Sequence, residues 1–175
     1  MNLNKEVIVK VRTVKLEDAL AVLTIQKEVV AEGEFLPTIS AEFKKTDDHQ
    51  REWIRLLLEN ERETMLVAEM NNEIVGWIVF LSQNRIRLSH VGSIGMMIKK
   101  EYRSMGIGKK LINELLNWAK KNTLIEKVGL GVLSSNQRAI SLYKKMGFLE
   151  EGRKVREIKI NNENYVDDIL MYRFV

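Results

Sequence analysis

The segment Arg103-Ser104-Met105-Gly106-Ile107-Gly108 places a guanidinium and two glycines at the start of a strongly amphipathic helical pattern. A helix that begins there aims its unpaired N–H groups and the positive end of its dipole at one spot, which suits an anion. Gly106 and Gly108 let the main chain approach a ligand with no Cβ in the way, and Arg103 adds charge and donors. The chemistry expected is the cradling of a diphosphate, although a glycine turn that merely starts a helix satisfies the same residues. Two other phosphate motifs fail. A P-loop needs Ser or Thr after Gly-Lys, but Gly108-Lys109 is followed by Lys110, so no hydroxyl is available for magnesium. A dinucleotide fingerprint needs a third glycine where Leu111 stands, and it follows a first strand instead of sitting mid-chain.

Asn136 and Tyr143 are seven residues apart. That is about two helical turns, so they share one face with roughly 10 Å of rise between them. Taken singly, Asn136 reads as a helix N-cap and Tyr143 as a half-buried aromatic; together they can line one groove.

The elements that must hold these residues follow from periodicity. Val7, Val9 and Val11 alternate as in a half-buried strand, and Ala19, Leu20, Leu23, Lys27 and Val30 step at helical spacing. The stretch from Gly33 to Pro37 breaks that helix and predicts a substrate-side loop; a second helix is expected over Asp47 to Glu61. Two strands flank Asn71-Asn72, whose side chains tolerate the positive φ of a tight hairpin. The second, Ile74 to Leu81, is apolar on both faces and predicts a central strand covered by helices on each side. A fourth strand is expected over Val91 to Ile98, a helix from Gly106 to Lys121, and a fifth strand over Lys127 to Leu133. A short helix over Asn136 to Met146 and two strands meeting at Asn161-Asn162 complete the order.

Composition bounds the rest. A chain of 175 residues fits one domain, and 45% hydrophobic with 30% charged residues describes a globular chain. The absence of cysteine excludes disulfides, thiolate nucleophiles and Cys-based zinc sites, and only two histidines are present, His49 and His90, far apart in sequence, so no metal is expected. No apolar run approaches the roughly 20 residues of a membrane span, and Met1 to Glu6 lacks a signal-peptide apolar region. A cytoplasmic location and no membrane partner are expected. The net charge of +4 is spread among acidic residues, which gives no support to nucleic-acid binding.

With these residues in view, Arg103-x-x-Gly106-x-Gly108 resembles the acetyl-CoA signature Arg/Gln-x-x-Gly-x-Gly/Ala of the GNAT N-acetyltransferase superfamily. Met97-Ile98-Lys99-Lys100-Glu101-Tyr102 resembles the strand and turn before that signature, with Lys100 where these proteins often carry proline. Asn136-x-x-Ala139-x-x-x-Tyr143, followed by Gly147-Phe148, resembles the family's second cofactor segment. Similarity runs from about Met65 to Val175; Met1 to Arg62 matches only in its order of one strand and two helices.

The resemblance implies a single α/β (α+β) domain. It has a mixed, largely antiparallel sheet of about seven strands, helices on both faces and a splayed central strand pair. Acceptor-side helices are expected over about 15–62, an acyl-CoA-binding core over about 64–148 and C-terminal strands over about 149–175. It also implies acetyl-CoA as acyl donor. The pyrophosphate would sit on Arg103, Ser104, Met105, Gly106, Ile107 and Gly108, and the pantetheine against backbone groups near Met96, Met97 and Ile98 and against Asn136. Tyr143 would face the sulfur. A phenol with an unperturbed pKa near 10 keeps its proton at neutral pH and can donate as charge develops on a leaving thiolate. With no cysteine and no evident Ser-His-Asp arrangement, direct transfer without an acyl-enzyme is the simplest mechanism.

The base is harder to place. Ser93, Gly95, Gly129 and Gly131 occupy the strand positions where the family often carries an acid, so a water relay is one solution. Glu32 and Glu34 lie in the loop expected over the acceptor, with Glu34 the candidate carboxylate, and His90 is a candidate relay. The C-terminal run Tyr165 to Met171 is similar to the ending of family members that act on amino acids and small amines, which makes a small primary amine the expected acceptor and partner. N-terminal acetylation of a protein or peptide is the alternative within the class, and an idle acyl-CoA-binding sensor the alternative outside it. Dimerisation rests on the resemblance alone.

Overall fold

The computed structural model describes residues 8–175; Val7, assigned to the first strand from its alternation, lies outside them. Strand β1 (Val9–Thr13) leads through a short helical turn into α1 (Ala19–Glu32), which ends on Gly33 in a left-handed conformation. After a loop, Thr46 caps α2 (Asp47–Glu59) by accepting the His49 N–H, with Asp47 and Asp48 placed favourably in the first turn.

Strands β2 (Thr64–Met70) and β3 (Glu73–Ser82) form the expected hairpin, with Asn71 and Asn72 at φ of 52° and 64°. Next come β4 (Val91–Ile98), α3 (Ile107–Lys121), β5 (Lys127–Leu133), α4 (Gln137–Lys145), β6 (Leu149–Lys159) and β7 (Tyr165–Phe174).

The seven strands are ordered β1-β2-β3-β4-β5-β7-β6. Every pair is antiparallel except β4 with β5. On one face α3 and α4 bury Leu111, Leu115 and Ile140 against Ile78, Phe80, Val128 and Leu130. On the other, α1 and α2 bury Val22, Ile25, Ile54 and Leu57 against Val67, Trp77 and Val79. Alternate residues of β3 thus enter opposite cores, which is why its run is apolar throughout.

The parallel pair is short. Only Val91, Gly92 and Ser93 pair with Lys127, Val128 and Gly129; beyond that point the two strands part. Gly92 sits at the junction, where a Cβ would lie 2.3 Å from Phe80 Cζ and 2.5 Å from the Leu81 carbonyl oxygen. Because the second obstacle is main chain, Gly92→Ala is expected to cost about 1–3 kcal/mol in urea unfolding, the range for overpacking a closed core. Gly152→Ala, which meets nothing within 4 Å, serves as the control.

Candidate active site

The chain leaves β4 through a helical turn at Lys100–Tyr102 that is tied to β3: Lys99 Nζ and the Tyr102 hydroxyl donate to the two oxygens of Glu73, at 2.5 and 2.9 Å. Ser104 (φ 64°) and Gly106 (φ 80°) then turn the main chain sharply into α3. Left-handed φ suits Gly106, but Ser104 holds it as a non-glycine, a strain that residue types alone did not announce. The first helical bond runs from the Lys110 N–H to the Gly106 carbonyl, so the N–H groups of Ile107, Gly108 and Lys109 have no acceptor within the helix.

The two glycines differ in role. A Cβ on Gly106 meets nothing within 4 Å and would project into open space, as expected for a ligand cradle. A Cβ on Gly108 would meet Leu142 Cδ2 at 3.0 Å, so this glycine serves the packing of α3 against α4. Arg103 also departs from expectation. Its Nε donates to the Ile98 carbonyl at 2.9 Å, and its two terminal nitrogens grip Glu32 at 2.6 and 2.5 Å. The guanidinium therefore joins the phosphate loop to the end of α1, and its hydrogen bonds hold the Glu32 carboxyl below its usual range.

Strand β4 supplies the next wall. The Lys99 N–H bonds to the Val75 carbonyl and the Gln83 N–H to the Val91 carbonyl, while β3 and β4 pair without a register shift between them. Odd-numbered residues of β4 therefore turn their backbone groups toward β3, and even-numbered ones toward β5. Met97, expected to offer its backbone to a ligand, instead pairs with Trp77. Ile94 and Met96 face the opening where β5 has parted, and the carbonyl of Ile98 is taken by Arg103.

On α4, Asn136 is the N-cap, its Oδ1 accepting the Ala139 N–H at 3.2 Å, while its side chain also borders the cavity. Both readings of that residue hold. Tyr143 is 8% exposed, packs edge-on against Phe148 at 5.8 Å between centroids, and lines the same cavity. Burial pushes its hydroxyl up to about 12, so it is a phenol at any ordinary pH.

These residues converge on one cavity of about 1230 Å³. Met96, Met97, Ile98, Arg103, Ser104, Gly106, Ile107, Gly108, Asn136 and Tyr143 all border it; Met105, exposed on the loop, does not. The volume exceeds the ~300–1,000 Å³ usual for one small ligand and suits two reactants meeting end to end. Lys109, Arg138 and Lys145 from α3 and α4 bring positive charge, and Phe35, Leu36 and Pro37 from the loop after α1 form an apolar wall.

Glu34, the candidate carboxylate, is exposed and is not brought to this lining, nor is His90. Glu32 is committed to Arg103. The acids that do reach the cavity are Glu157 on β6 and Asp168 on β7, which sequence reasoning missed. The only signal for Asp168 was its place in the alternation of the last strand, on the face opposite the buried Ile169 and Met171. Among the described residues no group of three or more His, Cys, Asp or Glu could hold a metal ion, and no helix is long and apolar enough to cross a membrane.

The chain is similar in sequence and fold to known proteins. The model of the acetyltransferase (GNAT) family matches residues 31–148. An L-amino acid N-acetyltransferase, AaaT, of Escherichia coli (strain K12) is 29% identical over 126 residues, 72% of this chain and 76% of that protein. The crystal structure of a GNAT-family acetyltransferase from Streptococcus pneumoniae superposes with a TM-score of 0.91 at 25% identity, covering 96% of this chain and 100% of the other. That of yncA from Salmonella typhimurium, described with its cofactor acetyl-CoA, has a TM-score of 0.86 at 17% identity over 95% and 94% of the two chains, a likeness of fold.

The buried phenol has a measurable consequence. Between about pH 10 and about 12 the unfolded chain has lost the Tyr143 proton while the folded chain still holds it. Stability must therefore fall as pH rises through that window. Urea unfolding is expected to show this decline in the wild type and a shallower one in Tyr143→Phe.

Proposed function

From the premise that the chain belongs to the acetyltransferase (GNAT) family, we propose that this acetyl-CoA-dependent enzyme moves the acetyl group directly onto a small primary amine, an amino acid foremost. The observation that carries the reading is the shape of the acceptor side. Phe35, Leu36 and Pro37 from one side and Glu157 and Ile158 from the β6–β7 hairpin border the same cavity as Tyr143. The space between loop and hairpin is thus walled by side chains from both, which favours a compact acceptor with an apolar body over an extended peptide.

Acetyl-CoA supplies an acetyl group activated as a thioester. The N–H groups of Ile107, Gly108 and Lys109, with Ser104 and the open side of Gly106, hold its pyrophosphate. Lys109, Arg138 and Lys145 add charge. The backbone of Ile94 and Met96 and the side-chain amide of Asn136 hold the pantetheine arm, in place of the Met97 backbone. Tyr143 is the general acid, its hydroxyl hydrogen-bonded to no other described residue and so free to donate. No cysteine is present to form an acyl-enzyme, consistent with one direct step.

Thiol release with L-leucine, L-methionine, L-phenylalanine, phenethylamine, spermidine and an N-terminal tetrapeptide tests the acceptor. Turnover of the amino acids or phenethylamine above the tetrapeptide is expected; the reverse order overturns the reading. Tyr143→Phe is expected to lower kcat by about 10²-fold with acetyl-CoA affinity retained, the usual size of a general-acid contribution. Gly106→Glu is expected to abolish coenzyme A binding in calorimetry, because its side chain enters the space an anion must fill.

A further inference from the structure

Acetyl transfer to an amine needs an acceptor for the proton the nitrogen loses, and the strands that flank the opening carry none. On the face turned toward the acceptor, β4 presents Ser93 and Gly95 and β5 presents Gly129 and Gly131. We propose that Asp168, delivered from the neighbouring strand β7, is the catalytic carboxylate that orients the acceptor amine and takes its proton. The inference rests on the acetyl transfer to a small amine proposed above.

Asp168 is the cross-strand partner of Leu133, so its side chain lies on the same face of the sheet as Leu133 and Gly131. There it leans over Gly131: a Cβ on that glycine would stand 2.8 Å from Asp168 Oδ1. The carboxylate thus fills the volume that the missing side chain of β5 leaves, on the lining of the cavity that also holds Tyr143. Tyr143, the proposed acid, borders the same cavity, its side chain mostly buried and its hydroxyl hydrogen-bonded to no other described residue.

Asp168 already faces one ammonium group of the chain itself. The Lys154 ammonium approaches Asp168 Oδ2 at 3.7 Å and Glu157 Oε1 also at 3.7 Å. Both contacts are long, and the Lys154 side chain is about half exposed, so it is readily displaced. Asp168, 21% exposed, keeps access to the cavity without being lost to solvent.

The reaction balances as follows. A neutral amine donates an N–H to Asp168 Oδ1, which directs its lone pair toward the thioester carbonyl. As the C–N bond forms, the nitrogen becomes acidic and its proton passes to the carboxylate. The C–S bond breaks, the sulfur takes the Tyr143 proton, and water carries a proton from Asp168 back to the phenolate.

Two variants on different strands test this, with L-leucine and phenethylamine as probes and coenzyme A binding followed by calorimetry. Asp168→Asn keeps the shape and removes the base; kcat is expected to fall about 10²-fold with coenzyme A affinity unchanged. Gly131→Ala pushes the carboxylate aside and is expected to raise KM for the amine severalfold, again with coenzyme A affinity unchanged. Asp168→Asn turning over within twofold of the wild type overturns the inference, as does loss of coenzyme A binding in both variants, which marks a structural role. A wild-type protein that acetylates no amine of the panel overturns the proposed function itself.

Discussion

The parting of β4 from β5 is the constraint on which the active site depends. In an antiparallel sheet each central strand has both rows of backbone groups paired, but here a parallel pair of three residues is followed by divergence. The groups of Ile94, Met96 and Gly131 that face the gap are left for a ligand or water, since buried backbone donors and acceptors do not stay unpaired. Because β4 and β5 are parallel, the chain must cross over between them, and α3 is that crossover. Its N-terminus is thereby delivered to the carboxyl end of β4, beside the gap. One topological irregularity thus brings the N-terminus of α3 and the exposed strand edge together.

Arg103 couples the loop before α3 to the end of α1. A bidentate pair with Glu32, both side chains mostly shielded from water, fixes the loop before α3 against the last residue of α1. The apolar wall Phe35-Leu36-Pro37 begins three residues after Glu32, so the ion pair also sets where that side of the cavity starts. Truncating such a pair leaves a partly buried charge unpaired, which is why a residue that reads as a phosphate ligand also acts as a clamp.

Most of the architecture was legible in the sequence because it rests on local periodicity. The Asn71-Asn72 hairpin, the doubly apolar β3 and the stripe of α3 each announce themselves within a dozen residues. The sharp turn into α3 was legible for the same reason, since Gly106 and the helix start are adjacent. What stayed hidden depends on register between distant segments. That Met96, not Met97, faces the gap is a matter of strand phase against β3. That Gly108 answers to Leu142 and Arg103 to Glu32 depends on packing across 34 and 71 residues of chain.

The acceptor side follows a different logic from the donor side. In the proposed function coenzyme A is held largely by backbone N–H and C=O groups, which any sequence offers once strand and helix are in place, so only glycines and a helix start need be specified. An amine and its proton must instead be met by particular side chains. Gly95 and Gly131 border the cavity without side chains, so in the proposed reaction the chemistry has to lean in from elements beside them. Asp168 can do so because a residue diagonal to Gly131 on the adjacent strand is within reach only where no Cβ stands between them. An acid placed directly on β5 would put the same carboxylate in the same space, so the absence of a side chain there and the presence of an aspartate on β7 are two halves of one arrangement.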